Sequence, residues 1–364
     1  MMTDKKPRAA EHSCRYCPMC HHADLTVTLQ RRETYSARGR GLAVFAAEQG
    51  ALTSDAEFAD VMYSFFADGL CRHVCAGHIA HDEMVIGARR RLVAEGRAPA
   101  AVARVKANIE KTGNPWGESE PDLVALTGAS PQKEVLVYFG PAARIQRPKS
   151  VSALASLLTA AEVHFSVLRQ EPDSGLLLYQ LGESEAATAV AQTLGRSILE
   201  SGARTVVTSD AEAYRTLKVG FGDVPPLSAV EVRHTSELLV DLMERFPIRR
   251  PVHSPVVYHD PCALARFSPC LEAPRVLLKK ICGVTPREMG PWSRELAHCS
   301  GECGGVPFTR PLLAREAAEH RVKVAREVGA EVLVAGSPAA AAALDGYGLE
   351  IQDLSEFLAD RLQQ

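Results

Sequence analysis

The sequence predicts an α+β multidomain chain: a helical N-terminal domain bearing cysteines, followed by two tandem α/β repeats with parallel, Rossmann-like sheets. Three observations predict it. Three cysteines stand two residues apart in Cys14-Arg-Tyr-Cys17-Pro-Met-Cys20. From residue 133 the texture changes from helix and loop to short β-rich runs alternating with helices, the pattern of a parallel sheet with crossover helices. That second texture then occurs twice.

The first observation carries the chemistry. At C-x2-C-x2-C spacing one tight loop offers three thiolates to a four-iron, four-sulfur cubane, and a fourth thiolate arrives from elsewhere. The bacterial ferredoxin-type run continues x3-C, and here that position is Asp24. Downstream, Asp68-Gly-Leu-Cys71-Arg-His-Val-Cys75 matches the end of a second run whose first two positions are Phe65 and Asp68. In two-cluster ferredoxins the fourth cysteine of each run serves the other cluster. On that rule Cys14, Cys17, Cys20 and Cys75 make a complete set, whereas Phe65, Asp68, Cys71 and Asp24 cannot hold four irons. One 4Fe–4S cluster is expected, with Cys71 as a fallback ligand and Asp24 filling the space of the lost site.

The alternatives are zinc and disulfides. Zinc on thiolates usually takes two separated pairs rather than three plus one. The opening Met-Met-Thr-Asp-Lys-Lys-Pro has no secretory apolar segment, and a chain of this length buries a core without staples.

Length and composition set further bounds. At 364 residues, two or three domains are expected. The net charge of -3 lends no support to a nucleic-acid role. No apolar run approaches the ~20 residues that span a bilayer. The ten cysteines fall in two regions, 14–75 and 262–303.

Residues 1–115 read as the helical, ferredoxin-like domain. Helical stretches begin at Leu42, run from Asp55 to Phe66 with Phe58, Val61, Met62 and Phe65 at helical spacing, and run from Asp82 to Glu95. Asn114-Pro-Trp-Gly117 marks a linker. The first α/β repeat is expected over 130–247. Val135–Phe139 is a strand, about 150–162 a helix, Gly175-Leu-Leu-Leu-Tyr179 a loop or short strand, Glu183–Gly202 a long helix and Thr205–Thr208 a strand. The second repeat is expected over 253–364, past a proline-rich seam at Pro247–Pro255. Val256-Val-Tyr-His-Asp-Pro261 echoes Leu136-Val-Tyr-Phe-Gly-Pro141. Gly329-Ala-Glu-Val-Leu-Val334 echoes Gly202-Ala-Arg-Thr-Val-Val207, and Leu354-Ser-Glu-Phe-Leu358 echoes Thr235-Ser-Glu-Leu-Leu239. Cys270 and Cys282 sit on a helical stretch and pack.

This order, with Ser36-Ala-Arg-Gly-Arg40, His259-Asp-Pro-Cys262 and Cys299-Ser-Gly301 leading into Gly304-Gly305, resembles the iron–sulfur subunits of the heterodisulfide reductase, glycolate oxidase and anaerobic glycerol-3-phosphate dehydrogenase family. In that family each α/β repeat carries a Pro-(Gly)-Cys, a Cys-Cys-Gly and a Cys-Pro-x-Cys signature, and the full set of about five thiolates binds a second iron–sulfur centre in some members. Here Pro141-Ala142, Pro172-Asp173-Ser174-Gly175 and Ser209-Asp210-Ala211 occupy the three places in repeat one, which reads as purely structural. Repeat two keeps Cys262 and Cys299. Ser300 stands where the paired cysteine belongs, Cys303 follows Glu302, and Gly336-Ser337-Pro338-Ala-Ala340 has no thiol. Cys262, Cys299 and Cys303, with His259 or His298 nearby, form a mononuclear metal site or a redox thiol pair, or are packed relics.

No G-x-G-x-x-G follows a strand and no Walker A sequence occurs, so the chain has no visible means of taking a hydride. The resemblance implies an electron-transfer subunit with no catalytic residues of its own. It would take single electrons from a flavoprotein dehydrogenase or electron-transfer flavoprotein and pass them to a carrier or a membrane quinone-reducing partner. A cytoplasmic location, peripheral to the inner membrane through partners, goes with that role. Arg15, His21, His22, Arg38, Arg40, Arg72 and His73 lie near the cluster ligands, where cations raise a cluster's potential, form a docking surface for an acidic partner, or simply make a solvated basic face. The competing readings are a thiol or heterodisulfide reductase using the C-terminal cysteines, and a non-redox scaffold with structural zinc.

Overall fold

The computed structural model describes residues 14–246 and 252–362. The N-terminal residues read above for a secretory segment, and residues 247–251 of the proline-rich seam, lie outside them. No helix among the described residues is long and apolar enough to cross a membrane.

The first hundred described residues are helical because short polar residues start three of the helices and apolar faces close on one core. Asp24 caps Leu25–Gln30, Ser36 caps Ala37–Glu48 and Asp55 caps Ala56–Tyr63, each side chain accepting from a first-turn amide. Phe58, Val61 and Met62 of the third helix meet Val85, Ile86 and Leu92 of His81–Ala94, and Val102, Val105 and Ile109 of Ala100–Thr112. Asn114–Gly117 is no free linker. Asn114 is fully buried, and Trp116 packs against Phe308 with ring centroids 6.2 Å apart.

Two parallel sheets follow. The first, in order β2-β1-β3-β4, comprises β1 (Val135–Tyr138), β2 (Phe165–Val167), β3 (Thr205–Thr208) and β4 (Glu231–His234). The second, in order β5-β6-β7, comprises β5 (Val256–His259), β6 (Val332–Ala335) and β7 (Glu350–Asp353). Val135 pairs with Thr205 across β1 and β3, and Val256 with Val332 across β5 and β6. The strands β5 and β6 are buried at every residue, as helices on both faces require. Three strands escaped the sequence reading: β2 has three residues, and β4 and β7 carry Glu231, Arg233 and Gln352.

Two expectations are corrected. Leu176–Leu181 is a helix, not a loop or strand, and all six residues are buried. A continuous apolar run fits a buried helix as well as a buried strand, and Gly175 at φ 81 supplies the left-handed turn that starts it. Cys282 does end the helix Glu272–Cys282, but Cys270 precedes that helix, with its thiol 3.3 Å from Ser236 Oγ.

The sheets are joined through shared packing. Leu157 and Leu239 from the first α/β segment enter one cluster with Val256, Leu277 and Phe357 from the second. Arg147 reaches Asp345 at 2.8 Å and Glu356 beside it, and Ser150 donates to Glu356 at 3.0 Å. The helical domain is tied in by Arg89, a fully buried guanidinium. It donates to Met62 O and Phe65 O at 2.8 and 2.6 Å, and to Gln180 O and Gly304 O at 2.8 and 2.7 Å. Four carbonyls from three distant segments thus converge on one side chain.

Candidate metal centres

Five cysteines gather in one corner of the helical domain. The loop from Cys14 turns tightly at Tyr16, which adopts φ 52 and donates its amide to Cys14 Sγ at 3.4 Å. Cys20 is buried, Cys14 half-buried and Cys17 exposed, so the loop grades from core to solvent. The short helix Leu70–Val74 carries Cys71 in its first turn and is followed directly by Cys75. A thiol hydrogen bond from Cys71 holds the Cys20 pKa below its usual value and pushes Cys71 well above. Burial, then the neighbouring Cys20, Cys75 and Cys17, raise Cys14. The His81 ring lies 4.0 Å from Cys14 Sγ. These thiols interact electrostatically, yet among the described residues no three of them have sulfurs mutually within 4.8 Å. A single tetrahedral zinc needs sulfurs about 3.8 Å apart, from Zn–S bonds of about 2.3 Å.

The two carboxylates of the cysteine runs, Asp24 and Asp68, are engaged by other residues. Asp24 is 3% exposed, caps a helix through Thr26 and pairs with Arg40 at 3.1 Å. Arg40 is completely buried. It also donates to Val61 O at 3.1 Å, Ser64 Oγ at 2.9 Å and Tyr35 O, and its guanidinium lies 4.8 Å from the Phe65 ring centre. Asp68 turns away, accepting from Leu70 N at 3.0 Å and approaching Arg266 at 3.7 Å.

The second corner lies at the carboxyl ends of β5 and β6, where the loops of a parallel sheet converge. Past β5, Asp260-Pro261-Cys262 leads into a π-helical turn, Ala263–Phe267. Cys299, Glu302 and Cys303 come from a loop folded by Gly301, Gly304 and Gly305, all at positive φ. Gly301 is required on packing grounds too: a Cβ there would stand 2.4 Å from Ala314 O. The three sulfurs and a Glu302 carboxylate oxygen lie within 4.8 Å of one another. Glu302 is 3.8 Å from Cys299 Sγ and 3.6 Å from Cys303 Sγ, and it accepts from Ser300. Hydrogen bonds from Cys299 and Cys303 hold the Cys262 pKa well below the ordinary thiol value, with burial opposing and Arg266 assisting. Burial first, then Cys262, pushes Glu302 up to about 7.

Neither candidate histidine joins this set. His259 Nδ1 accepts from Arg321 Nε at 3.1 Å, and His298 stacks on Trp292 at 4.0 Å between ring centres. Burial leads in driving both imidazoles to about 3, so they are neutral. The sequence reading missed Glu302 and the two buried cations, Arg266 and Arg321, whose charges act on Cys262. The signal for Glu302 was present: an acid between two cysteines in Cys299-Ser-Gly-Glu302-Cys303.

A cavity of about 300 Å³ opens on this corner. Cys262, Glu302 and Cys303 line it together with Asp173, Asp210 and Glu212 and with apolar residues that include Trp116, Leu177 and Phe308. The carboxylates stand where repeat one has its degenerate signatures. Asp173 accepts from Gly175 N at 2.8 Å as Cys299 accepts from Gly301 N at 3.3 Å.

Residues 256–345 match the profile of the Cysteine-rich domain family. The chain is 30% identical to a subunit of the dihydromethanophenazine:CoB–CoM heterodisulfide reductase of Methanosarcina acetivorans, over 78% of its own length and 72% of that protein. It is 30% identical to a probable membrane-anchored ferredoxin of Chromohalobacter salexigens, covering 87% of the chain and 50% of the relative. It is 28% identical to the probable iron–sulfur-binding oxidoreductase FadF of Bacillus subtilis, covering 74% and 41%. The chain thus spans about half the length of these last two relatives.

Proposed function

We propose, for a chain that belongs to the heterodisulfide reductase-type family of iron–sulfur oxidoreductases, that it is a single-electron relay within a multi-component oxidoreductase, with one 4Fe–4S cluster in the helical domain. The observation that carries the reading is the cysteine corner. Three thiols of one tight loop and a fourth from the end of Leu70–Val74 face one another at more than mononuclear spacing. Cys14, Cys17, Cys20 and Cys75 would hold the cluster, with Cys71, in contact with Cys20, as the alternative fourth ligand. Such a cluster supplies a one-electron couple. The buried Arg40–Asp24 pair supports a count of one, because a guanidinium engages Asp24 at the sequence position where a fourth thiolate would stand.

The surrounding residues tune and expose that couple. Arg38 is close enough to Cys17 and Cys20 for its charge to be felt there, which favours the more negative, reduced state. Cys17 and Met19, the latter 49% exposed, put one edge of the corner at the surface. Electrons would enter or leave there. A flavoprotein dehydrogenase or an electron-transfer flavoprotein fits as donor, and a quinone-reducing membrane protein as acceptor; a relative from Syntrophomonas wolfei is named EtfAB:quinone oxidoreductase. We read 1–115, 130–247 and 253–364 as the helical domain and the two repeats, working in the cytoplasm or against the inner membrane through partners.

The test is iron and sulfide analysis of anaerobically purified protein, with EPR after dithionite reduction. About four irons per chain and one reduced-cluster signal are expected. Serine at Cys14, Cys17 or Cys20 removes the signal, and Cys75→Ser against Cys71→Ser identifies the fourth ligand. Zinc without iron would overturn the reading.

A further inference from the structure

We infer that Cys262, Cys299, Cys303 and Glu302 form a mononuclear tetrahedral site for a borderline-soft divalent cation, zinc foremost, in place of the second iron–sulfur centre that the family resemblance implies. The family's centre does not fit here. It asks for about five thiolates, and this corner has three; Ser300 and Ser337 stand at signature positions that have lost their thiols. The set that remains matches a different geometry. A tetrahedral zinc with bonds of about 2.3 Å to sulfur and about 2.0–2.2 Å to oxygen places sulfur and oxygen ligands about 3.5–3.7 Å apart. Cys303 Sγ lies 3.6 Å from Glu302 Oε1 and Cys299 Sγ lies 3.8 Å from its Oε2, and the three sulfurs and one carboxylate oxygen lie within 4.8 Å of one another. The thiols of the helical domain are not so gathered.

The charges around the site agree independently. A divalent ion bound by three thiolates and a carboxylate carries two negative charges in excess. Two buried guanidiniums, Arg266 and Arg321, lie within electrostatic reach of Cys262. Each keeps a buried Nη2 without a hydrogen bond, the one on Arg266 having only Asp68, 3.7 Å away. Buried donors are seldom left unmatched, and a centre with net negative charge gives both guanidiniums their counterpart. The ligands are also held in place before any ion arrives: Gly301 N donates to Cys299 Sγ and Ser300 donates to Glu302, the supporting bonds that fix ligands elsewhere. Zinc suits the set because it accepts mixed sulfur and oxygen ligands in tetrahedral geometry.

The experiment is cobalt substitution of the full chain, read by absorption, alongside zinc and iron analysis of the native protein. About one zinc per chain is expected. Cobalt should give the intense visible bands of a tetrahedral ion and a thiolate charge-transfer band. Cys262→Ser should abolish them, while Cys270→Ser and Cys282→Ser leave them unchanged. Glu302→Ala should shift the visible bands and weaken binding by about 10–100-fold, the scale of losses at tuned metal sites. Because Glu302 is half-buried, that variant tests the site even if Cys262→Ser fails to fold. About eight irons per chain, half of them lost on Cys299→Ser, would overturn the inference. So would a disulfide among the three cysteines in anaerobic protein that still refuses cobalt after reduction. Iron and EPR report on the helical domain and cobalt on this site, so this inference and the relay reading can fail separately.

Discussion

Repeat one and repeat two present nearly the same loops with different chemistry. After β1 the chain runs Gly140-Pro141-Ala142, and after β5 it runs Asp260-Pro261-Cys262; each then enters a π-helical turn. Gly175 and Gly301 both adopt positive φ, and a Cβ on either would meet a helix carbonyl, Ala187 O at 2.5 Å or Ala314 O at 2.4 Å. Asp210 and Ser337 cap the helices that follow β3 and β6. The side chains at the matching places differ: Ala142 and Asp173 in one repeat, Cys262 and Cys299 in the other. Backbone packing and ligand chemistry are therefore separable. The loop is kept by steric needs that any replacement must respect, whereas the side chains at these places turn from sulfur to oxygen between the repeats.

The sharpest way to break this comparison is at the glycines. Gly175→Ala and Gly301→Ala should each cost about 2–4 kcal/mol, through a left-handed backbone and a clash with a carbonyl, measured by denaturant unfolding. Only the second should also lower bound cobalt. Unequal stability losses would mean that the loops are not equivalent.

The carboxylates offer a smaller effect with a definite sign. Burial raises Asp173 from 3.8 to about 6, so its protonated form favours the folded state. That contribution is present in full below the unfolded pKa and is lost as pH rises through about 6. Asp173→Asn, which keeps an oxygen for Gly175 N, should remove this dependence. The variant should gain about 1–3 kcal/mol over the parent at pH 8 and little at pH 4. Unfolding curves across that range check it, and Cys299→Ser should leave the pH 4–6 slope unchanged. The smallest effect belongs to the caps. Asp210 accepts from Ala213 N at 2.9 Å and Ser337 from Ala340 N at 3.3 Å. Asp210→Ser should therefore change stability by no more than about 1 kcal/mol; a larger loss would give Asp210 a role beyond capping.

Much of this was legible in the sequence because it rested on local rules. Thiol spacing pointed to the Cys14–Cys20 loop, and the echoes between repeats pointed to the paired sheets. What stayed hidden depended on contacts across the chain. Leu176–Leu181 is apolar but for Gln180, so periodicity could not separate helix from strand. Trp116 looked like linker because the ring it meets, Phe308, lies far along the chain. Asp24 could be seen as a lost ligand but not as half of a buried pair, since Arg40 gave no sign of turning inward. Glu302 was in view and passed over because the family signature names only thiols.

The guanidinium of Arg89 bears on how such a chain can be divided. Two of its four carbonyl partners, Met62 and Phe65, belong to the helical domain, and the other two, Gln180 and Gly304, belong to the two repeats. A fragment ending near residue 115 would retain every cysteine of the first corner and leave a buried cation half solvated by protein. The helical domain is thus a unit of sequence without being an exchangeable part. An insertion that shifted the loop around residue 304 would be felt in the packing beneath the first cysteine corner before it reached any thiol.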